Sequence, residues 1–473
     1  MQVTLLSQQG IIYSDTALPK TPVISHIDGI WEVPSEAVDG NRVYVVEDSK
    51  NYTPIEVNVV EWGETVKVSS DALTADTKIV SDIRHKLVGY KPVSFSNFFG
   101  TLASPIIILF LGGFILASAS VKYNLDKNLT NVLLKPFGEK PVFIVMGLMM
   151  VTAALSAFMS NTATTAMMMT VAIPIARQID MKDKFRIMLT LSIPIAANIG
   201  GMATPIGTPP NAIVIANLSQ QGINIAFGTW VALMLPLAIG LLLLAWATMR
   251  FFYPPTLERF KMELKSKFDR STNAVILYFV FGTTVLLWFT EASHGIPSAM
   301  IAFIPIVTLT ITSVLNKDDI RALPWEVLWL VAGGISLGIS MENTGLAMWL
   351  VSSISWELLP QLALLLVFGL VALMLSNFLS NTVTATLLVP LAVSLGTAGI
   401  AGEGFSLIIT SLVIGCACNM AMLLPISTPP NAIAMSTGYI HTSDMVKVGA
   451  VIGIIGIASA LVLATFYWPV IIN

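Results

Sequence analysis

Four short polar stretches interrupt an otherwise apolar chain, and they come as two matched pairs. SAFMSNTAT (156–164) recurs as SNFLSNTVT (376–384), and PIGTPPNAI (205–213) recurs as PISTPPNAI (425–433), both at an offset of 220 residues. Serine hydroxyls, an asparagine amide oxygen and backbone carbonyls freed by chain reversal are hard oxygen ligands, suited to a small cation. The Asn NH2 and Thr OH groups are donors, suited to a carboxylate. Consecutive prolines cannot continue a helix. The carbonyls before Pro209 and Pro429 are therefore free to meet a cation, and the helix N-termini after them turn the positive end of a dipole toward an anion. One SNT tip and one broken helix per copy predict two related cation sites around one anion site. Ser156 and Ser376 lie one helical turn before Ser160 and Ser380, on the same face, so each pair can present two hydroxyls to one point.

These groups need an apolar framework to hold them. The 473 residues are 55% hydrophobic and 11% charged, with a mean hydropathy of +0.78, whereas soluble proteins are about a quarter charged. That composition excludes a disordered chain, a nucleic-acid binder and an ordinary soluble enzyme, and it predicts an all-α polytopic protein of the lipid bilayer. A net charge of −3 offers nothing to a polyanion. Cys416 and Cys418 share one apolar run and make no disulfide framework, and four scattered histidines make no metal cluster. There is no nucleophile–base pair at membrane depth, so an enzyme is not expected. No acidic residue lies deep inside a span (Glu326 sits at a span's start), which argues against a proton pump with a buried carboxylate.

Apolar segments run over 104–121, 142–158, 162–175, 187–218, 230–252, 274–288, 299–315, 325–340, 359–379, 382–395, 405–435 and 446–472. Two short pairs, 142–158 with 162–175 and 359–379 with 382–395, each meet at an SNT tip and read as re-entrant hairpins. Segments 187–218 and 405–435 read as helices broken at TPPN. With both hairpins in place, all 17 Lys and Arg after residue 100 fall on one side, and 219–229, 291–297 and 396–404 contain none. Basic loops belong in the cytoplasm, so the first hairpin enters from there, the second from outside, and the C-terminus ends outside. Hairpins from opposite faces make the repeat an inverted one, a sign of a secondary transporter. Gly112-Gly113 also recurs, as Gly333-Gly334, at an offset of 221. Other features have plainer readings. Thr164 and Thr384 fit packing as well as binding, Cys416 and Cys418 fit a core, and Met167–Met169 fill space. Glu342 reads as a solvated helix cap, and the charge cluster over 250–270 as an orientation signal.

Residues 1–99 differ in kind, with 8 of the 25 Lys+Arg, 13 of the 28 Asp+Glu and no long apolar run. Residues 41–70 alternate β-branched and polar side chains, with turn-like breaks at 48–51 and 63, which predicts a small soluble β-rich module. The expected domains are therefore this module (1–99), a first transport repeat (100–252), a cytoplasmic loop with scaffold helices (253–324) and a second transport repeat (325–473). Within 28–85, GIWEVPSEAVDGNRVYVVED followed by TADTKIV resembles the C-terminal β-domain of periplasmic membrane fusion proteins, the adaptors of efflux pumps; an unrelated β-module fits the same strands. The charge pattern requires 1–99 to lie outside. The first ten residues have neither the basic start nor the apolar core of a signal peptide.

From residue 100 to 473, the paired SNT and TPPN motifs, in this order, resemble the divalent anion/sodium symporter family, the sodium-coupled dicarboxylate and citrate carriers. The resemblance implies an elevator-type homodimer of the cytoplasmic membrane, a scaffold domain with a mobile transport domain, and Na+ as the co-transported ion. It implies a first Na+ site at Ser156, Ser160, Asn161 and Gly207 and a second at Ser376, Ser380, Asn381 and Ser427. Asn161, Thr162, Asn381 and Thr382 would touch the substrate carboxylates, with the Pro209 and Pro429 backbones close by. Family members would have about three scaffold helices where this chain has residues 1–99. The spans 274–288 and 299–315 have counterparts near 54–68 and 79–95, where this sequence is polar and β-like. The leading expectation is a Na+-coupled carrier of di- or tricarboxylate anions. A dicarboxylate exchanger, a sulfate carrier and a truncated, non-transporting fusion stay open as alternatives.

Overall fold

The computed structural model describes residues 12–13, 20–22, 25–27, 30–34, 37–39, 42–46, 51–61, 65–74, 77–80, 99–180, 183–259, 269–344, 346–347, 359–397 and 405–472. They fall into two compact units, one of residues 1–98, 339–358 and 394–401 and the other of 99–338, 359–393 and 402–473.

In the first unit the alternating pattern forms antiparallel strands. One sheet runs Ser25–Ile27, Ile30–Pro34, Thr65–Ser69, Asn58–Glu61. A second runs Ile12–Tyr13, Asn51–Glu56, Arg42–Val46, Lys78–Val80, Lys20–Pro22, with Val38–Asp39 also paired to Arg42–Val46. Every second side chain points inward, and Trp31, Val33, Val43, Val66, Val68 and Ile79 build one apolar core. In 54–68, the counterpart of a scaffold span in the second repeat, residues 54–56, 58–61 and 65–68 are strands here; residues 62–64, and of 79–95 residues 81–95, lie outside the described residues.

The second unit is helical. Its first repeat runs α1 (Pro105–Lys122), α2 (Leu125–Leu134), α3 (Pro141–Ser156), α4 (Asn161–Gln178), α5 (Phe185–Gly201), α6 (Pro209–Gln220) and α7 (Phe227–Phe252). Then come α8 (Thr272–Phe289), α9 (Trp325–Asn343), α10 (Gln361–Phe378), α11 (Asn381–Thr397), α12 (Leu407–Asn419), α13 (Pro429–Met435) and α14 (Thr442–Phe466). Among the described residues, α1, α7, α8, α10 and α14 are long and apolar enough to cross a membrane. The helix pairs α3/α4 and α10/α11 are the two hairpin arms, and α5/α6 and α12/α13 are the two broken helices. Pro209 and Pro429 each occupy the first helical position, where a missing N–H costs nothing and φ is already set. Thr208 and Thr428 before them are extended, at φ −154° and −144°. The paired glycines allow close approach. A Cβ on Gly112 would sit 2.7 Å from Ala302 Cβ, and one on Gly334 would sit 2.6 Å from Thr386 Oγ1 on α11.

Two segments depart from the sequence reading. Residues 122–140, expected as a basic loop, contain α2, whose Asp126 and Asn128 are each 1% exposed. The amphipathic ten-residue helix is too polar for a hydropathy window and too short for a span. The expected span 299–315 is two shorter helices, Ser298–Ile301 and Phe303–Ile311. Pro305 has no N–H to donate to Ile301, which breaks the ladder there.

Candidate functional site

The two hairpin tips and the two helix breaks meet around one cavity of about 220 Å³. Its polar lining is Ser160, Asn161 and Thr162 from the first tip, Ser380, Asn381 and Thr382 from the second, and Asn198 of α5. Gly207, Thr208 and Pro209 come from one break, and Ser427, Thr428 and Pro429 from the other. Phe110 and Phe114 of α1 and Val327 and Leu330 of α9 form an apolar wall. None of the described lining residues is charged. Four helix N-termini, those of α4, α6, α11 and α13, open at this cavity. The three longer ones each carry about half a positive charge at the end, about one and a half together. Ser160 Oγ caps α4 by accepting from Ala163 N at 3.2 Å, and Ser380 Oγ caps α11 by accepting from Val383 N at 3.2 Å. The next free N–H groups of those helices remain available to an anion.

Behind the first tip is a cluster of oxygens. Ser156 is fully buried, and its hydroxyl lies 2.8 Å from Ala197 O and 2.6 Å from the Asn161 side-chain amide. Thr152 on the same helix instead donates back to Leu148 O, one turn earlier. Ser156 therefore turns across to the broken helix and does not satisfy its own. With its nitrogen facing inward, the Asn161 amide donates to Ser156 Oγ, to Ala197 O at 3.1 Å and to Gly207 O at 3.2 Å. With its oxygen facing inward, Asn161 Oδ1, Ser156 Oγ, Ala197 O and Gly207 O converge as an all-oxygen set. Such a set suits a hard cation. The second repeat is built alike. Ser376, also fully buried, has its hydroxyl 2.9 Å from Asn381 Oδ1 and 3.4 Å from Cys418 O.

The breaks are braced to the hairpins. Thr204 donates to Ala157 O in the first repeat. In the second, Ser427 Oγ donates to Asn377 O at 3.0 Å, and Asn377 Oδ1 accepts from Leu423 N at 2.9 Å. The Ser427 hydroxyl thus ties break to hairpin. A second cavity of about 380 Å³ shares Phe114 and Ser160 with the first. Its rim includes the Lys122–Asp319 ion pair at 2.6 Å.

A family model described as a citrate transporter matches residues 85–415. The chain belongs to the citrate transporter family. An uncharacterized transporter of Haemophilus influenzae is 31% identical over 386 residues, 77% of this chain and 82% of that protein. The sodium-dependent high-affinity dicarboxylate transporter 3 of Caenorhabditis elegans is 31% identical over 420 residues, 76% of this chain and 73% of its own. Among solved structures, MtrF of Neisseria gonorrhoeae, which illuminates a class of antimetabolite efflux pumps, shares the fold. Its TM-score is 0.55 at 12% identity, over 78% of this chain and 82% of that one. The chain is a multi-pass membrane transporter and not an enzyme, as the motifs led us to expect.

For this citrate transporter family member, the geometry gathers every residue expected at the site. Ser160, Asn161, Thr162, Gly207, Pro209, Ser380, Asn381, Thr382, Ser427 and Pro429 line the cavity, and Ser156 and Ser376 stand directly behind it. Thr164 and Thr384 are fully buried, with hydroxyls that have no partner. Among the residues not anticipated are Phe110 and Leu330, Asn198, Asn419 and Asn377. Phe110 and Leu330 are 220 apart and close to the repeated Gly-Gly, so the repeat itself was the signal that could have found them.

Proposed function

We propose that this transporter couples Na+ to the movement of di- or tricarboxylate anions across the cytoplasmic membrane. One observation carries the reading: an uncharged cavity ringed by helix N-termini and backed by two oxygen clusters. An anion of two or more charges cannot be held there by side-chain ion pairs. Positive helix ends offset part of its charge, and cations in the two oxygen sets supply the rest. Asn161, Thr162, Asn381 and Thr382 would donate to the carboxylates, beside the Pro209 and Pro429 backbones. Ser156, Ser160, Asn161 and Gly207 would hold one Na+, and Ser376, Ser380, Asn381 and Ser427 the other. The apolar wall of Phe110, Phe114, Val327 and Leu330 suits a hydrocarbon backbone between carboxylates. The name of the Caenorhabditis elegans relative, a sodium-dependent dicarboxylate transporter, supports both ion and substrate.

The finer mechanism is an elevator in which the hairpins and broken helices, the two transport repeats, move together within a homodimer. The braces from breaks to hairpins support their moving as one body. The one-sided Lys and Arg pattern supports a C-terminus outside. The test is reconstitution of the purified chain with an inward Na+ gradient and labelled succinate, citrate and sulfate. Carboxylate uptake that collapses without the gradient is expected. Uptake driven only by internal dicarboxylate would show an exchanger, uptake of sulfate alone an inorganic anion carrier, and no uptake a non-transporting fusion.

A further inference from the structure

The two repeats are tied together by a pair of buried asparagine links, one of them at Asn198 in the wall of the cavity. Asn198, 2% exposed on α5, donates its Nδ2 to Thr428 Oγ1 at 3.1 Å and to Asn431 Oδ1 at 3.2 Å. Asn419, 1% exposed on α12, donates its Nδ2 to Asn211 Oδ1 at 3.0 Å. Asn198 and Asn419 are 221 residues apart and their acceptors Asn211 and Asn431 are 220 apart, so one link occurs twice. Each link crosses from the first half-helix of one repeat to the break of the other.

One end of each link adjoins an oxygen set and the other holds a break. Asn198 directly follows Ala197, whose carbonyl accepts from Ser156 in the first set. Asn419 directly follows Cys418, whose carbonyl accepts from Ser376 in the second. At the far ends, Asn211 holds the first break by donating to Gly201 O at 3.0 Å and Thr204 O at 2.8 Å. Asn431 holds the second by donating to Leu424 O at 3.0 Å. Each set is thus connected, through the asparagine beside it, to the break of the other repeat. In both copies the Asn Oδ1 is buried with no partner. An unpaired buried oxygen is costly, and leucine would fill a similar space without it. Packing alone therefore does not explain an amide at either position.

Resting on the reading that the two sets bind Na+, we propose that Asn198 and Asn419 are positioning residues that couple the sets, so that filling one orders the carbonyls of the other. Coupling of this kind changes affinity by about 5- to 150-fold. Na+ activation of uptake in the intact chain should then be sigmoidal, with a Hill coefficient near two. In Asn198→Leu/Asn419→Leu it should fall to about one, with a higher half-saturating Na+. Asn198→Ser and Asn419→Ser, smaller changes with the same expectation, stand in if the leucine variant does not fold.

A second readout needs no transport. Trp230 Nε1 donates to Met202 O in the first break at 3.1 Å, so a 19F-labelled Trp230 reports on that break during a Na+ titration. Ser376→Ala, which alters only the second set, should shift the midpoint at Trp230 in the parent chain and leave it unmoved when the asparagine links are removed. A folded link variant that keeps the parent's Hill coefficient, or keeps the Ser376→Ala shift at Trp230, overturns the proposal. So does a parent that responds to Na+ with a Hill coefficient of one. Absence of any Na+ response in the parent, against choline, would overturn the Na+ reading itself and this coupling with it.

Discussion

Gly201→Ala tests the first oxygen set without deleting any of its ligands. A Cβ at Gly201 would stand 2.8 Å from Asn161 Nδ2 and 2.9 Å from Asn161 Cγ, and closer still to Oδ1. Real Cβ atoms do not come that near, so the Asn161 amide must move out of its position against α5. Forcing an extra methyl into a tight site costs about 1–3 kcal/mol. Taken up as lost cation affinity, that corresponds to a rise of about 5- to 150-fold in half-saturating Na+. The assay is Na+-dependent succinate uptake into proteoliposomes at fixed substrate, with Na+ varied against choline. High Na+ should recover part of the rate, since the ligands are displaced and not removed. Gly240→Ala is the control, because its Cβ would meet nothing within 4 Å, and it should leave the Na+ curve unchanged. If Gly201→Ala folds with the parent's thermal unfolding and shows the parent's Na+ curve, the Asn161 amide has no part in cation binding.

Asn161→Ala and Asn381→Ala should each weaken carboxylate binding by more than the roughly 1–3 kcal/mol of a neutral buried group, because the partner left unsatisfied is charged; unchanged affinity in a competition assay would make the tips structural. Ser156→Ala and Ser376→Ala should raise half-saturating Na+ with less effect at saturating Na+, and an unshifted Na+ titration in a folded variant would assign both serines to packing. Cysteines placed over 219–228 and 396–404 should be labelled from outside and those over 257–271 only from inside; labelling of 257–271 in intact cells would overturn the proposed topology. Burial pushes the Asp183 carboxyl up, but hydrogen bonds from Thr256 and Phe185 outweigh it and hold the pKa below its ordinary value. That group stabilises the fold above about pH 4 and loses its contribution as pH falls through the lowered pKa, so Asp183→Asn should flatten the acid side of a thermal-stability profile. An unchanged acid limb would contradict that account.

The hairpins, the breaks and most of the polar lining were legible because repetition leaves two copies of each motif at one offset, and few structures other than a pseudo-symmetric site need SNT and TPPN twice. What was hidden has specific causes. Asn198 and Asn419 lie 221 apart, one residue out of step with the nine-residue matches, so a fixed offset of 220 passes over them. Asn377 has Ala157 as its counterpart, and repetition says nothing about a brace that only one copy uses. The α2 helix was missed because Asp126, Lys127 and Asn128 make it look like solvent-facing loop, while the structure buries Asp126 and Asn128. Burial of polar groups against other helices leaves no trace in a hydropathy window.

That the described residues of the cavity lining carry no charge has an electrical consequence. In the proposed elevator, the empty site carries no full charge through the bilayer on its return, so that step is blind to the membrane potential. Voltage, worth about 2.3 kcal/mol per elementary charge per 100 mV, then acts only on the loaded state. A dianion with two Na+ crosses as a neutral package, and current through such a carrier would count the cations in excess of the substrate's own charge.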